Sequence, residues 1–207
     1  MTANIMNKGL LIVVSGPAGS GKGTVNAHLL NSGEFVYSVS ATTRAPRPGE
    51  IDGINYHFIT KDEFKSRIAR GDMLEYTEYC GNFYGTPKKE AEDVLASGKN
   101  LILEIEVEGA QNIKKKYPDA VLVLLLPPSY SVQEARLRGR GTETEEKIRL
   151  RLERAKEEIA FANVYDYVVY NRDGLDREAA EEIRAIVTAE KSSVSRNPHI
   201  AENYLNN

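Results

Sequence analysis

Apolar residues gather in four short runs, at 10–14, 101–107, 121–126 and 167–170, with longer polar segments of helical spacing between them. Short apolar runs suit strands buried on both faces, so the pattern predicts a parallel sheet covered by helices, an α/β fold. One interval does not fit a simple crossover. Residues 40–100 are rich in Gly, Pro, Arg and Tyr and too long to return the chain once, so they read as an inserted lobe. Within that lobe, 54–59 predicts a strand, 61–70 a helix, and 73–84 two paired strands turning at Gly81-Asn82. After the third run, Pro127-Pro128 ends the strand and an arginine-rich segment follows from 131 to 156. There Thr142-Glu143-Thr144-Glu145 reads as a capping box, starting a helix whose buried stripe is Ile148, Leu152, Ala155 and Ile159. In the second run, Leu101, Leu103, Ile105 and Val107 alternate with Ile102, Glu104, Glu106 and Glu108, so a strand would turn the three acids to one face.

Composition narrows the class of protein. A chain of 207 residues with 41% hydrophobic content is long enough for a substantial core. Its 27 basic and 30 acidic residues leave a formal charge of −3, which gives no global attraction to nucleic acid or to an anionic membrane. Positive charge must therefore act locally. Cys80 is the single cysteine, so no intramolecular disulfide and no Cys/His zinc cluster is expected, and a reducing cytoplasm suits the chain. No apolar stretch approaches the ~20 residues needed to span a bilayer.

The chemistry concentrates at Gly16-Pro17-Ala18-Gly19-Ser20-Gly21-Lys22-Gly23-Thr24, directly after the first apolar run. Glycines let successive backbone N–H groups converge on phosphate oxygens, a lysine adds a mobile positive charge, and the next helix adds its positive end. The residue after Lys22 is Gly23 rather than a hydroxyl residue, and Thr24 comes one place later as the candidate Mg²⁺ ligand. A glycine-rich turn that binds nothing is the plain alternative, but the lysine and the preceding strand in register weigh against it. Further on, Arg44 and Arg47 lie three residues apart in a loop held by Pro46, Pro48 and Gly49. Two guanidinium forks there suit a second phosphate, with Tyr56 as a neutral donor. Alone, Arg-x-x-Arg is usually surface charge.

Taken in order, these segments resemble the guanylate kinase family over about residues 10–185. The resemblance rests on the phosphate loop, Ser40-Ala-Thr-Thr-Arg44-Ala-Pro-Arg47, Gly81-Asn-Phe-Tyr84-Gly-Thr86, Leu103-Glu104-Ile-Glu106, and Arg140-Gly-Thr-Glu-Thr-Glu-Glu followed by Arg151. It implies transfer of phosphate from ATP, with Mg²⁺, to GMP and dGMP. It also implies a P-loop α/β/α core at about 8–38, 95–128 and 160–190, a GMP-binding lobe at about 39–94, a helical lid at about 129–159 and a polar tail at 191–207. By the same resemblance, Arg44, Arg47, Tyr56 and Tyr84 would hold the GMP phosphate, while Ser40, Glu75 and Thr86 would meet guanine. Chemistry supports Glu75, because guanine presents adjacent N1–H and N2–H donors that one carboxylate can accept, whereas adenine would oppose it with an acceptor.

Glu104 and Glu106 would face the nucleotides, although the family commonly carries aspartate at the second position; the extra methylene shifts that carboxylate by roughly 1–1.5 Å. Lys22, Arg44, Arg140 and Arg151 would carry the charge of the transferring phosphoryl, and Asn171 would lie near adenine. Transfer of this kind needs positioning and charge stabilisation, not a general base, so His28, His57 and His199 are read as structural. Small-molecule substrates are the expected partners, with no nucleic acid and no membrane; a homo-oligomer stays open. Two rivals also stay open. Gly21-Lys22-Gly23-Thr24 suits an adenylate-type kinase, which GMP-over-AMP preference would exclude, and a phosphopeptide-binding scaffold of similar fold would show no turnover.

Overall fold

The structure, a computed structural model, describes residues 8–79, 81–139, 141 and 144–206. Its centre is a five-stranded sheet built from β1 (Leu11–Ser15), β2 (Phe35–Tyr37), β7 (Asn100–Leu103), β8 (Val121–Leu126) and β9 (Tyr167–Tyr170). The order is β2-β7-β1-β8-β9 and every pairing is parallel. Three of the four apolar runs become strands close to the expected bounds. β2, only three residues long, was missed because so short a strand leaves almost no periodic signal.

The run at 101–107 is corrected more substantially. The strand stops at Leu103, and helix α4 (Val107–Lys116) begins four residues later with Glu106 at its N-cap position. Glu104, Ile105 and Glu106 thus form a strand-to-helix turn, and Glu108 sits in the first helical turn instead of sharing a strand face with the other two acids. Alternation across six residues mimicked a strand, but Val107, Ala110 and Ile113 also fit helical spacing, and their burial decides the outcome.

A second sheet, in order β4-β3-β6-β5, occupies the inserted interval. Its strands are β3 (Ala41–Thr42), β4 (His57–Phe58), β5 (Met73–Tyr79) and β6 (Asn82–Pro87), and helix α2 (Lys61–Arg70) packs on it through Phe64. α2 has the expected bounds because Thr60 caps it, accepting from the Glu63 amide, and Gly71 closes it in the left-handed region. The strand expected at 54–59 shrinks to two residues. Asn82 is the first residue of β6 and so belongs to the strand, while Gly81 lies in the turn; Cys80 is outside the described residues. Leu74 of β5 packs with Leu103, Ala110 and Ile113, so one apolar cluster ties the second sheet to the first.

Helices α1 (Lys22–Asn31) and α7 (Asp176–Lys191) cover one face of the five-stranded sheet through Val25, Leu29, Ala180 and Ile183. On the other face, α3 (Lys88–Ala96) and α4 pack through Ala91, Leu95, Ala110 and Ile113. The arginine-rich segment forms α5 (Tyr130–Gly139) and α6 (Glu145–Ile159). Thr144, not Thr142, caps α6 by accepting from the Lys147 amide at 3.4 Å; Thr142 and Glu143 lie outside the described residues. Ile148, Leu152 and Ala155 are buried as expected, whereas Ile159, at the last turn, is exposed. Leu137, Ile148 and Leu152 pack with Ala18 of the phosphate loop, coupling these helices to the glycine-rich turn. The segment after α7 ends in a short helix α8 (Ile200–Leu205).

Candidate active site

β1 is flanked by β7 on one side and β8 on the other, so the order reverses at its C-terminal end, where open α/β sheets collect ligands. The loop 16–21 leaves β1 at that point and α1 starts at Lys22. Gly21 turns the corner at φ 86°, and a Cβ there would lie 2.2 Å from Asn171 Nδ2, so any other residue would be strained and would displace that amide. Three side chains from elsewhere hold the loop by its carbonyls: Asn171 donates to Ser20 O at 2.9 Å, Gln133 to Ala18 O at 2.8 Å, and Arg136 to Gly19 O at 3.3 Å. These bonds fix the loop from behind, and the Ser20 amide closes a turn within it on Pro17 O at 3.1 Å. Lys22 Nζ donates to Gly16 O at 2.5 Å.

A cavity of about 570 Å³ opens over this loop, within the range of small-ligand sites. It brings together Gly16, Ala18, Gly19, Gly21, Lys22, Gly23 and Thr24 from the loop and α1, Ser40, Tyr56, Glu75 and Tyr84 from the second sheet, and Glu104, Glu106 and Arg151. Thr77, Gly109, Arg154 and Glu158 also line it, none of them expected from the sequence. A second cleft of about 330 Å³ shares Gly19, Gly21 and Thr24 and adds Arg136 and Asn171. Pro17 and Ser20 belong to the loop behind the cavity walls. Arg140 lies outside the described residues. His28, His57 and His199 pair with Asp176, Glu90 and Glu202, and none lines the cavity.

At the end formed by the second sheet, Glu75 and Thr86 are a cross-strand pair, 2% and 0% exposed, and the Thr86 hydroxyl donates to Glu75 Oε1 at 2.9 Å. Gly85 lets β5 and β6 meet there, since a Cβ on it would stand 2.7 Å from Glu75 O. Burial pushes the Glu75 carboxyl up to about 7, against the opposing pull of Thr86 and of Lys116. Tyr56 and Tyr84 meet edge to face with centroids 6.1 Å apart, and burial raises the Tyr56 phenol above its ordinary value.

Arg44 does not line the cavity. Its two terminal nitrogens each donate to a Glu50 oxygen at 2.9 Å, a bidentate pair, and its guanidinium lies 5.5 Å from the Tyr56 ring centre. Glu50 also accepts from the Arg47 amide at 2.7 Å, and its carboxyl is held below the usual range, first by Arg44 and then by that amide. Arg47 is exposed. Neither of the expected forks lines the cavity: Arg44 stands beside its lining residue Tyr56 and is engaged by an acid. The sequence offered no reason to single out Glu50, although it lies six residues from Arg44 in the same proline-held loop.

Glu104 accepts from Asn26 of α1 at 2.9 Å and also engages Tyr37, whose phenol is raised chiefly by burial and then by Glu104. Glu106 pairs with Arg154 of α6, which also donates to Glu158 at 3.2 Å. Arg154 was missed because the helix is crowded with charge, and only its angular position relative to Arg151 separates it from the solvated face. Among the described residues, no cluster of three or more His, Cys, Asp or Glu is arranged to hold a metal ion. Exposed Thr24 and the carboxylates of Glu104 and Glu106 do supply hard oxygen donors on the cavity wall, which fits a magnesium ion carried by nucleotide phosphates.

Comparison with known proteins identifies the family of the chain. The sequence profile of the guanylate kinase family matches residues 8–190. The guanylate kinase of Clostridium perfringens is 48% identical over 200 residues, spanning 96% of this chain and 90% of its own. That of Halalkalibacterium halodurans is 52% identical over 184 residues, 88% and 89% of the two chains. The crystal structure of guanylate kinase from Anaplasma phagocytophilum superposes with a TM-score of 0.72 at 34% identity, covering 90% of this chain and 88% of that one. Among the described residues, no helix is long and apolar enough to cross a membrane.

Proposed function

This chain belongs to the guanylate kinase family and transfers the γ-phosphate of ATP to GMP, and we propose that the 570 Å³ cavity is where the two nucleotides meet. The observation that carries the assignment is the buried Glu75–Thr86 pair at one end of the cavity, with the phosphate loop and Lys22 at the other. Guanine enters the second-sheet end, where ionised Glu75 accepts N1–H and N2–H while Ser40 and Thr86 complete the edge. Adenine would place an acceptor against that carboxylate, leaving a buried charge unpaired. The GMP phosphate lies toward Tyr56 and Tyr84, and Arg44 and Arg47 reach it by releasing Glu50. dGMP fits the same contacts.

ATP lies with its phosphates on the amides of 16–24 and its base toward the cleft lined by Asn171 and Arg136. Lys22, Arg140 and Arg151 gather the charge of the transferring phosphoryl. Thr24, with Glu104 and Glu106 beyond it, would hold the magnesium ion that comes with ATP. When bound, that ion supplies charge neutralisation across the phosphates. The attacking GMP phosphate oxygen is already anionic, so no side chain need remove a proton. Inserting 39–94 and 129–159 into the core at 8–38, 95–128 and 160–190 gives each nucleotide its own mobile flank, and closure excludes water from the phosphoryl. The reaction suits the cytoplasm.

The test is ADP production from ATP and Mg²⁺ with GMP, dGMP, AMP, CMP or UMP as acceptor, for the wild type and Glu75→Gln. Turnover confined to the guanine acceptors, and weakened ~100-fold in kcat/KM by the substitution, is expected. Unchanged guanine preference in Glu75→Gln would remove Glu75 as the base reader.

A further inference from the structure

Arg154 occupies a position that the reaction leaves unassigned. It stands three residues after Arg151 on α6, a spacing that puts two side chains on one helical face, and both line the cavity that Lys22 enters. Its guanidinium lies between two acids, taking Glu106 at the start of α4 through Nη2 and Glu158 of its own helix through Nε at 3.2 Å. Glu158 is the more enclosed acid, and burial, then Glu106, lifts its carboxyl above the usual range. Glu106 is half-exposed, and the Arg154 side chain is 38% exposed. The Arg154–Glu106 pair is thus open to water, where an ion pair is weak and readily exchanged.

We propose that Arg154 is a further catalytic residue for phosphoryl transfer, held on Glu106 until the nucleotides bind and then moved onto the transferring phosphoryl oxygens beside Arg151. The planar fork that grips a carboxylate grips a phosphoryl group with the same geometry, and the phosphoryl carries more charge than Glu106 offers. Glu158 stays with Arg154 on the same helix and keeps its guanidinium aimed along the cavity during the exchange. The exchange also breaks the link between α6 and α4, so arrival of phosphate charge releases the helix to close. This inference rests on the proposed placement of the phosphoryl between Lys22 and Arg151.

The experiment measures kcat and both KM values for Arg154→Met and Arg154→Lys, with Lys22→Met and Arg151→Met as controls for the placement. Alongside, it measures affinity for GMP and for a compound joining adenosine and guanosine through five phosphates. A catalytic Arg154 predicts that Arg154→Met lowers kcat ~10–100-fold with both KM values within ~3-fold. It also predicts partial recovery in Arg154→Lys and a loss of affinity for the joined compound much larger than for GMP. Wild-type kcat in Arg154→Met, with Lys22→Met and Arg151→Met impaired, would overturn the role of Arg154 alone. The same holds if Arg154→Met weakens binding of GMP and of the joined compound equally, since Arg154 would then be only a brace. Full turnover in Lys22→Met and Arg151→Met would instead overturn the placement of the phosphoryl.

Discussion

The two ends of the cavity are built on opposite principles. At the base end, Glu75 is buried, already bonded to Thr86 and backed by Gly109, whose Cβ, if present, would lie 3.2 Å from Glu75 Oε2. Where phosphate is to bind, the basic groups in and beside the cavity are engaged by the protein itself: Arg44 by Glu50, Arg154 by Glu106, and Lys22 by the Gly16 carbonyl. Base reading is a property of a fixed strand pair, where a mismatch cannot relax and is expensive. Charge neutralisation is a property of exchangeable pairs, which keep cations from repelling one another before substrates bind and release them to a better anion. Discrimination and turnover should therefore respond to different substitutions.

The largest effect is expected at the phosphate end. Lys22→Met should lower kcat ~1000-fold while leaving GMP affinity nearly unchanged, read by turnover assays together with equilibrium GMP binding. Thr86→Val, which removes the hydroxyl from Glu75, should lower kcat/KM for GMP ~10–100-fold without a matching loss for ATP. Arg44→Met should raise the KM for GMP ~10-fold, whereas Glu50→Gln, which releases the same arginine, should leave that KM unchanged or lower it. A similar rise in both would mean that Arg44 and Glu50 serve only to shape the loop.

A subtler difference is in pH. Glu75 titrates near pH 7 in the folded protein, above the 4.5 of an unperturbed glutamate, so the folded state binds its proton more tightly than the unfolded chain does. Its stabilising contribution is complete below pH 4.5 and is lost as pH rises to about 7. Thermal midpoints of the ligand-free protein, relative to Glu75→Gln, should fall across that window. Guanine needs the ionised form, so the KM for GMP should improve with rising pH over the same window in the wild type and not in Glu75→Gln, which cancels the titration of the GMP phosphate. The smallest effect concerns Gly23, where an added Cβ meets nothing within 4 Å. Gly23→Ala should stabilise α1 by about 0.5 kcal/mol and leave turnover intact, because the amide remains in place.

How much of this was legible in the sequence follows the same division. Strands buried on both faces write themselves as apolar runs, and Gly16 to Thr24 writes its chemistry as glycines and a lysine, so the centre of the sheet and the loop could be read directly. The turn from Leu103 into Val107 could not, because alternating residues there serve a strand end and a helix start in succession. The counter-charges were also hidden. Glu50 and Arg154 look like any surface residues until the fold sets them against Arg44 and Glu106. Asn171 was read near a base; the structure also shows it pinning Ser20 O behind the loop, a contact across 151 positions that no local pattern encodes.

The most direct measurement is a crystal structure of the protein with the compound that joins adenosine and guanosine through five phosphates. The account predicts that the Thr86–Glu75 hydrogen bond stays near its present 2.9 Å with guanine against it, while Arg44 and Arg154 have left Glu50 and Glu106 for phosphate oxygens. Glu75 displaced from Thr86, or both arginines still on their carboxylates with the compound in place, would contradict it.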